Sequence, residues 1–327
     1  MLLFATNAVA TPGTAIVSSW RTNTTHFHPR FSVSSAVEGL GFPAFLPKEV
    51  ENIKDPSARK LASRIQRLQV TVGSSGDCIM SSCVKPLSST QSTPTTSPLV
   101  LLHGFDSSCL EWRYTLPRLE EAGLEAWAVD VLGWGFSDLE KLPPCNVQTK
   151  REHLYQLWKT YIRKPVILVG PSLGAAIAID FAVQYPEAVE KLVLIDASVY
   201  VEGTGSMATL PKAVAYAGIG RLHCMYDWWA DATVNFMSSG GYDVACLIPK
   251  INQKTLIIWG EDDKIISSKL GVRLHCELPN AIIRQIPNCG HIPHVEKPDS
   301  VARLIKEFVQ DQEDCSRKEA QLVSSLQ

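Results

Sequence analysis

The sequence predicts an α/β protein on a mostly parallel, doubly wound sheet, and three observations predict it. From Pro98 onward six short apolar runs recur: LVLLH (99–103), AWAVDV (126–131), PVILV (165–169), KLVLID (191–196), TLIIW (255–259) and AIIRQI (281–286). They are almost continuously hydrophobic, as strands buried on both faces must be. The intervals between them carry helical patterns and leave room for the crossovers that parallel strands need. In such sheets the working residues collect at the carboxyl ends of the strands.

Composition sets the outer limits. The chain has 327 residues, 45% of them hydrophobic, and a formal charge of −2, which suits a globular α/β core. It lacks the basic stripe of a nucleic-acid binder. No apolar run approaches the roughly 20 residues that cross a bilayer, so no transmembrane segment is expected. Nine scattered cysteines with no C-x-x-C pair make neither a disulfide framework nor a zinc site. They read as buried thiols, with Cys109 and Cys289, near the motifs below, as candidates for redox sensitivity.

Residues 1–37 contain no Asp or Glu, are close to one third Ser and Thr, and draw their charge from Arg21 and Arg30. Such acid-poor, hydroxyl-rich leaders are organelle transit peptides. The low arginine content points to the chloroplast before the mitochondrion. Residues 38–98 form an N-terminal extension with the first strands. Within it Asp55-Pro56 starts a helix, and Leu61, Ile65 and Leu68 share a face opposite Arg59, Lys60, Arg64 and Arg67. That face packs on its own domain or lies on a membrane surface. The proline-punctuated stretch PLSSTQSTPTTSP (86–98) is a loop.

The third run ends in Gly170-Pro171-Ser172-Leu173-Gly174, and an alanine-rich helix follows at once. G-x-S-x-G at a strand-to-helix junction is a nucleophile elbow: the glycines leave space for a turn that exposes the serine hydroxyl beside the free N–H groups of a helix start. Alone the pentapeptide is weak, since a turn serine capping its helix would look the same. A nucleophilic serine needs a base, and the base an orienting carboxylate. Candidates follow the last two strands in the order serine, acid, histidine. WGEDDKI places Asp262 and Asp263, and NCGHIPHVEKP places His291 and His294. The H-x-x-H spacing lacks a third ligand for a metal.

LLHGFDSS, VDVLGWGFSD, GPSLGAAIAIDFAVQYPEAVEKLVLIDAS, WGEDDKI and NCGHIPHVEKP together resemble the signatures of the α/β-hydrolase superfamily, its serine-nucleophile branch, and specifically plant plastid-targeted members, over about residues 100–310. The resemblance implies a mostly parallel eight-stranded sheet with a short helical lid. The core would occupy 99–198 and 255–311, the lid 199–254, and a C-terminal tail 312–327. It assigns Ser172 as nucleophile, His291 as base and Asp263 as acid, with Asp262 and Asp196 as rival acids. The backbone N–H groups of Phe105 and Leu173 would form the oxyanion hole. His103 reads as a loop-fixing residue and His294 as structural.

The chemistry implied is ester hydrolysis through an acyl-enzyme, on a small or bulky apolar ester, with no metal or organic cofactor. Trp134, Trp228 and Trp229 are candidate substrate-binding residues, although the stripe YDWWADATVNFM (226–237) equally suits a helix packing on its neighbours. A serine at the elbow argues against epoxide-hydrolase chemistry. AVAYAGIGRLHC (213–224) carries Gly218 and Gly220 at its centre, and the lid is short. A truncated lid, as in a splice variant, is an expectation that a longer transcript would support. A receptor-like or inactive homologue, and a lyase or cofactor-free oxygenase on the same three residues, are the other readings. Nothing in the sequence sets an oligomeric state.

Overall fold

The computed structural model describes residues 41–72, 77–87, 97–139, 141–200 and 222–310. The segment 1–37 expected to be a transit peptide, most of the loop 86–98, residues 201–221 of the expected lid with Gly218 and Gly220, and the tail 312–327 lie outside the described residues.

The chain enters through α1 (Pro56–Ala62), where Asp55 caps the helix by accepting the Ser57 N–H at 2.9 Å and Pro56 supplies a preset φ. The expected helical face through Leu68 is corrected here. The helix stops at Ala62, and Ile65 and Leu68 belong to β1 (Ile65–Val72). From Leu68 the pattern has period two, with Leu68, Val70 and Val72 buried and Gln69 and Thr71 exposed. Pairing along all of β2 (Asp77–Val84) outweighs the extra helical turns that the 3.6 period would have added. The basic side chains are used within the fold: Arg64 pairs with Glu120 at 2.6 Å and Arg67 with Asp138 at 3.3 Å.

The six apolar runs become β3 (Leu99–Leu101), β4 (Ala126–Val129), β5 (Val166–Pro171), β6 (Val189–Ile195), β7 (Lys254–Gly260) and β8 (Ala281–Ile286). Together the eight strands form one sheet in the order β1-β2-β4-β3-β5-β6-β7-β8, antiparallel at β1-β2 and β2-β4 and parallel elsewhere. Successive residues of each central strand feed opposite cores. Ile167 and Val169 face α1, α2 (Thr115–Glu121) and a helix spanning 298–310, whereas Leu168 faces α3 (Val147–Leu157) and α4 (Leu173–Gln184). Each such aliphatic side chain contributes roughly 1.5–3 kcal/mol by leaving water. Two faces to fill explain why these strands read as unbroken hydrophobic runs.

The charged exception is Lys191, buried in β6. Its Nζ donates to the carbonyls of Phe308 and Val309, both at 3.1 Å, near the end of the 298–310 helix, where a cation suits the helix dipole. Above the sheet the described lid consists of a short turn after residue 221, α5 (Trp229–Ser238) and the 3-10 segment Ala245–Lys250. The last strands flank α6 (Ser268–Glu277). No helix among the described residues is long and apolar enough to cross a membrane.

The strand order puts the chemistry in one place. From β3 the chain steps to β4 on one side, then returns to β5 on the other, so a crevice opens between the carboxyl ends of β3 and β5. Phe105 follows β3 and Ser172 follows β5.

Candidate active site

Ser172 sits at φ +48° and ψ −118°, a backbone region that side-chain-bearing residues rarely adopt. Two hydrogen bonds to the end of the next strand hold it there: its N–H donates to the Ile195 carbonyl at 2.8 Å, and its carbonyl accepts the Ser198 N–H at 3.1 Å. The flanking glycines are steric requirements. A Cβ at Gly170 would lie 2.2 Å from the Gly174 carbonyl oxygen, and one at Gly174 2.8 Å from the His103 carbonyl oxygen. The motif therefore lets strand, helix and neighbouring loop meet at van der Waals distance.

His291 Nε2 lies 3.1 Å from Ser172 Oγ, and its Nδ1 lies 2.9 Å from Asp263 Oδ2. Asp263 Oδ1 accepts the N–H groups of Ile265 at 2.7 Å and Ile266 at 3.0 Å. Burial alone would raise this carboxyl, but the His291 ring and the two N–H groups bring it below its ordinary value. Asp263 is thus held ionised against the imidazole. Asp262, the adjacent rival, is exposed, and its backbone N–H bonds to the Cys289 carbonyl.

Asp196, the other rival, is fully buried at the end of β6, with Oδ1 accepting the Gly260 N–H at 2.9 Å. Burial and the nearby Asp263 charge push its carboxyl well above the usual range. Oδ2 has no partner among the described residues. Two carboxyls with opposite shifts thus stand side by side, Asp196 raised and Asp263 lowered.

Phe105 and Leu173 flank the hydroxyl from two elements. Leu173 opens α4, so its N–H has no acceptor within the helix. The loop carrying Phe105 passes close by: a Cβ at Gly104 would lie 3.7 Å from Ser172 Cβ. His103 fixes this loop, with Nε2 accepting the Val131 N–H at 3.0 Å and Nδ1 donating to the Gly104 carbonyl at 2.8 Å. Burial pushes its pKa down, which keeps the ring in that neutral tautomer.

Several supporting residues escaped the sequence reading. Asp130, after β4, accepts the Phe136 N–H at 2.9 Å, the Cys109 N–H at 2.6 Å and the Ser82 hydroxyl. Gly135, at φ +75°, is needed there because its Cβ would fall 2.0 Å from Asp130 Cγ. Asp106, itself at φ +50°, joins the loop after β3 to the lid through His223 Nε2 at 3.0 Å and Trp229 Nε1 at 2.8 Å. Asp106, His223 and Cys224 are also the group among the described residues whose ligand atoms could hold a metal, lying within 4.8 Å of one another, but Asp106 and His223 already bond to each other.

Trp134 is fully buried, its ring edge-on to Phe105 at 5.2 Å and covered on a face by Lys150 Nζ at 3.8 Å. Its link to the site runs through Phe105, whose side chain is 43% exposed. Lys150 also donates to the Leu132 carbonyl, and burial brings its amine down to about 7. Trp228 stacks on Tyr226 with centroids 5.2 Å apart. The expected redox sensitivity of Cys109 and Cys289 is corrected: both are buried, and burial raises their thiols, Cys289 to about 12, which suppresses the reactive thiolate.

A family model described as the alpha/beta hydrolase family matches residues 99–304. The alpha/beta hydrolase domain-containing protein VTE7 of Arabidopsis thaliana is 53% identical over 312 residues, covering 85% of this chain and 94% of that protein. The uncharacterized hydrolase YugF of Bacillus subtilis (strain 168) is 23% identical over 66% of this chain and 91% of its own length. Among solved structures, a thermophilic esterase from Thermogutta terrifontis superposes with a TM-score of 0.61 at 20% identity, covering 75% of this chain and 98% of that one. A meta-cleavage product hydrolase from Pseudomonas fluorescens IP01 gives 0.60 at 18% identity, covering 76% and 98%. At these identities the structures support the fold alone.

Proposed function

Since the chain belongs to the alpha/beta hydrolase family, we propose that it is a serine hydrolase of the carboxylesterase type, with Ser172 as nucleophile, His291 as general base and Asp263 as orienting acid. The observation that carries this reading is the hydrogen-bonded row Asp263, His291, Ser172 ending on a constrained elbow. His291 Nε2 takes the hydroxyl proton as Ser172 Oγ attacks the ester carbonyl, and the Asp263 carboxylate stabilises the imidazolium. The carbonyl oxygen becomes an oxyanion held by the N–H groups of Phe105 and Leu173. Each such donor is worth about 3 kcal/mol in the transition state because it is aimed beforehand. The imidazolium then protonates the departing alcohol, and a water activated by His291 releases the acid from the acyl-enzyme.

Exposed Phe105, next to the Gly104 that approaches Ser172, and the aromatic lid residues support an apolar ester as substrate. The acid-free, hydroxyl-rich segment 1–37, together with the similarity to a plant protein, supports import into the chloroplast. A fusion of that segment to a fluorescent protein tests this directly, and a cytosolic signal would overturn it.

The activity is tested with a fluorophosphonate probe on the purified protein lacking residues 1–37, beside Ser172→Ala and His291→Ala. Labelling that requires both residues is expected. A folded protein that stays unlabelled would overturn the enzymatic reading and favour a ligand-binding one.

A further inference from the structure

Behind the reacting residues lies a second carboxylate–imidazole pair that the mechanism above does not use. Glu111 and His294 bond through Oε1 and Nε2 at 2.6 Å, and the other carboxylate oxygen, Oε2, accepts the Gly104 N–H at 3.1 Å. Gly104 directly precedes Phe105. His294 stands three residues after His291, on the single helical turn Pro293–Glu296. One side chain thus joins the loop bearing an oxyanion donor to the loop bearing the general base.

We infer that Glu111 and His294 are positioning residues that hold those two loops in register, an inference that rests on the serine-hydrolase reading.

The geometry leaves few other routes for this connection. Each loop has a further brace: His103 ties the first to Val131, after β4, and Glu296 accepts the Gly290 N–H at 2.8 Å within the second. Neither of these bonds joins one loop to the other. The Glu111 carboxylate spans that gap, with its side chain only 11% exposed. His294 is fully buried, tilted against the Trp112 ring at 4.8 Å, and its carbonyl accepts the Thr115 hydroxyl. Its Nδ1 has no partner among the described residues, so Glu111 is the polar group that orients the ring.

The charge state suits the task. Burial alone would raise the Glu111 carboxyl, but the hydrogen bond to His294, the nearby imidazoles of His294 and His103 and the Ser107 hydroxyl bring it down to about 2. The carboxylate therefore accepts both bonds in charge-assisted form throughout the working pH range. Neither residue touches the reacting atoms. Their effect is geometric, and a misplacement of about 1 Å at a catalytic group costs on the order of 100-fold.

The experiment measures the rate constant of fluorophosphonate inactivation and the probe's apparent binding constant separately, for wild type, Glu111→Gln, His294→Gln and the double variant. Thermal melting confirms that each is folded. Glu111→Gln keeps the shape but loses the charge and one of the two acceptor oxygens. The inactivation rate constant should fall about 10- to 100-fold in each single variant, with probe binding within about twofold. The double variant should fall little further than either single, since the pair acts as one unit. Glu111→Asp, which retains the carboxylate, should recover part of the rate. Wild-type rates in a folded single variant, or losses that multiply in the double, would overturn the inference while leaving the serine-hydrolase reading intact. A wild-type protein unlabelled at Ser172 would remove both.

Discussion

Replacing Ser172 by glycine should yield a more stable protein than replacing it by alanine, although both lose the hydroxyl. The comparison isolates the backbone. At φ +48° and ψ −118°, clamped to Ile195 and Ser198, residue 172 cannot relax into an ordinary turn. Holding a Cβ in such a region costs about 1–3 kcal/mol. Alanine keeps that cost and glycine removes it, but glycine gives back roughly 0.5–1 kcal/mol through the greater freedom of its unfolded chain. The balance favours Ser172→Gly by about 1 kcal/mol, and by up to about 2.5 kcal/mol at the ends of these ranges, or on the order of 2 °C in melting temperature per kcal/mol for a chain of this size. Urea unfolding of the two variants side by side, checked by calorimetry, measures the difference. Equal stability, or a more stable alanine variant, would refute the claim that the elbow stores strain. The expected result would show that this position trades stability for an exposed hydroxyl.

The buried Lys150 amine, brought down to about 7, makes stability rise with pH from about 7 toward the ordinary lysine value, because the unfolded chain there binds a proton that the folded one does not. The slope can reach about 1.4 kcal/mol per pH unit. Urea unfolding between pH 6.5 and 10 should show this slope flattened in Lys150→Met, and parallel curves would contradict it. Asp196 has the opposite sign: its raised carboxyl favours the fold fully below the unfolded carboxyl value of about 4, and that contribution is lost as pH rises toward its folded value. Asp196→Asn should therefore be more stable than wild type at pH 7 and keep probe labelling within a few-fold. Asp263→Asn should lose labelling about 10²- to 10⁴-fold. A larger loss in Asp196→Asn than in Asp263→Asn would make Asp196 the working acid.

The central sheet was legible because β3 to β7 are largely buried on both faces, which writes them as apolar runs, whereas the edge strand β8 is mostly half-buried or exposed and carries Arg284 and Gln285. Helix α1 was misread in length for a related reason. Leu61, Ile65 and Leu68 fit a helical period, and the pairing that settles the matter comes from β2, where Ile65 faces Val84 and Leu68 faces Ser81. Asp130 shows the same limit from the side of function. VDVLGWGFSD is recognisable as a motif, but the reason for its aspartate and glycine appears only where the carboxylate fills the space that a Cβ on Gly135 would occupy.

The sequence by itself determined strands β3 to β8, the G-x-S-x-G corner and the chain order of serine, acid and histidine, because these are local patterns or follow from the order of strands. Tertiary structure alone decided that Asp263 reaches His291 while Asp262 faces solvent, that Asp196 stays buried beside them, that Trp134 supports Phe105 from within the core, and that Glu111 and His294 join two loops. Those outcomes depend on distances between residues up to 183 positions apart in the chain. Hydrogen bonds and burial act through space, and periodicity along a sequence carries no record of which distant side chains the fold brings within 3 Å of each other.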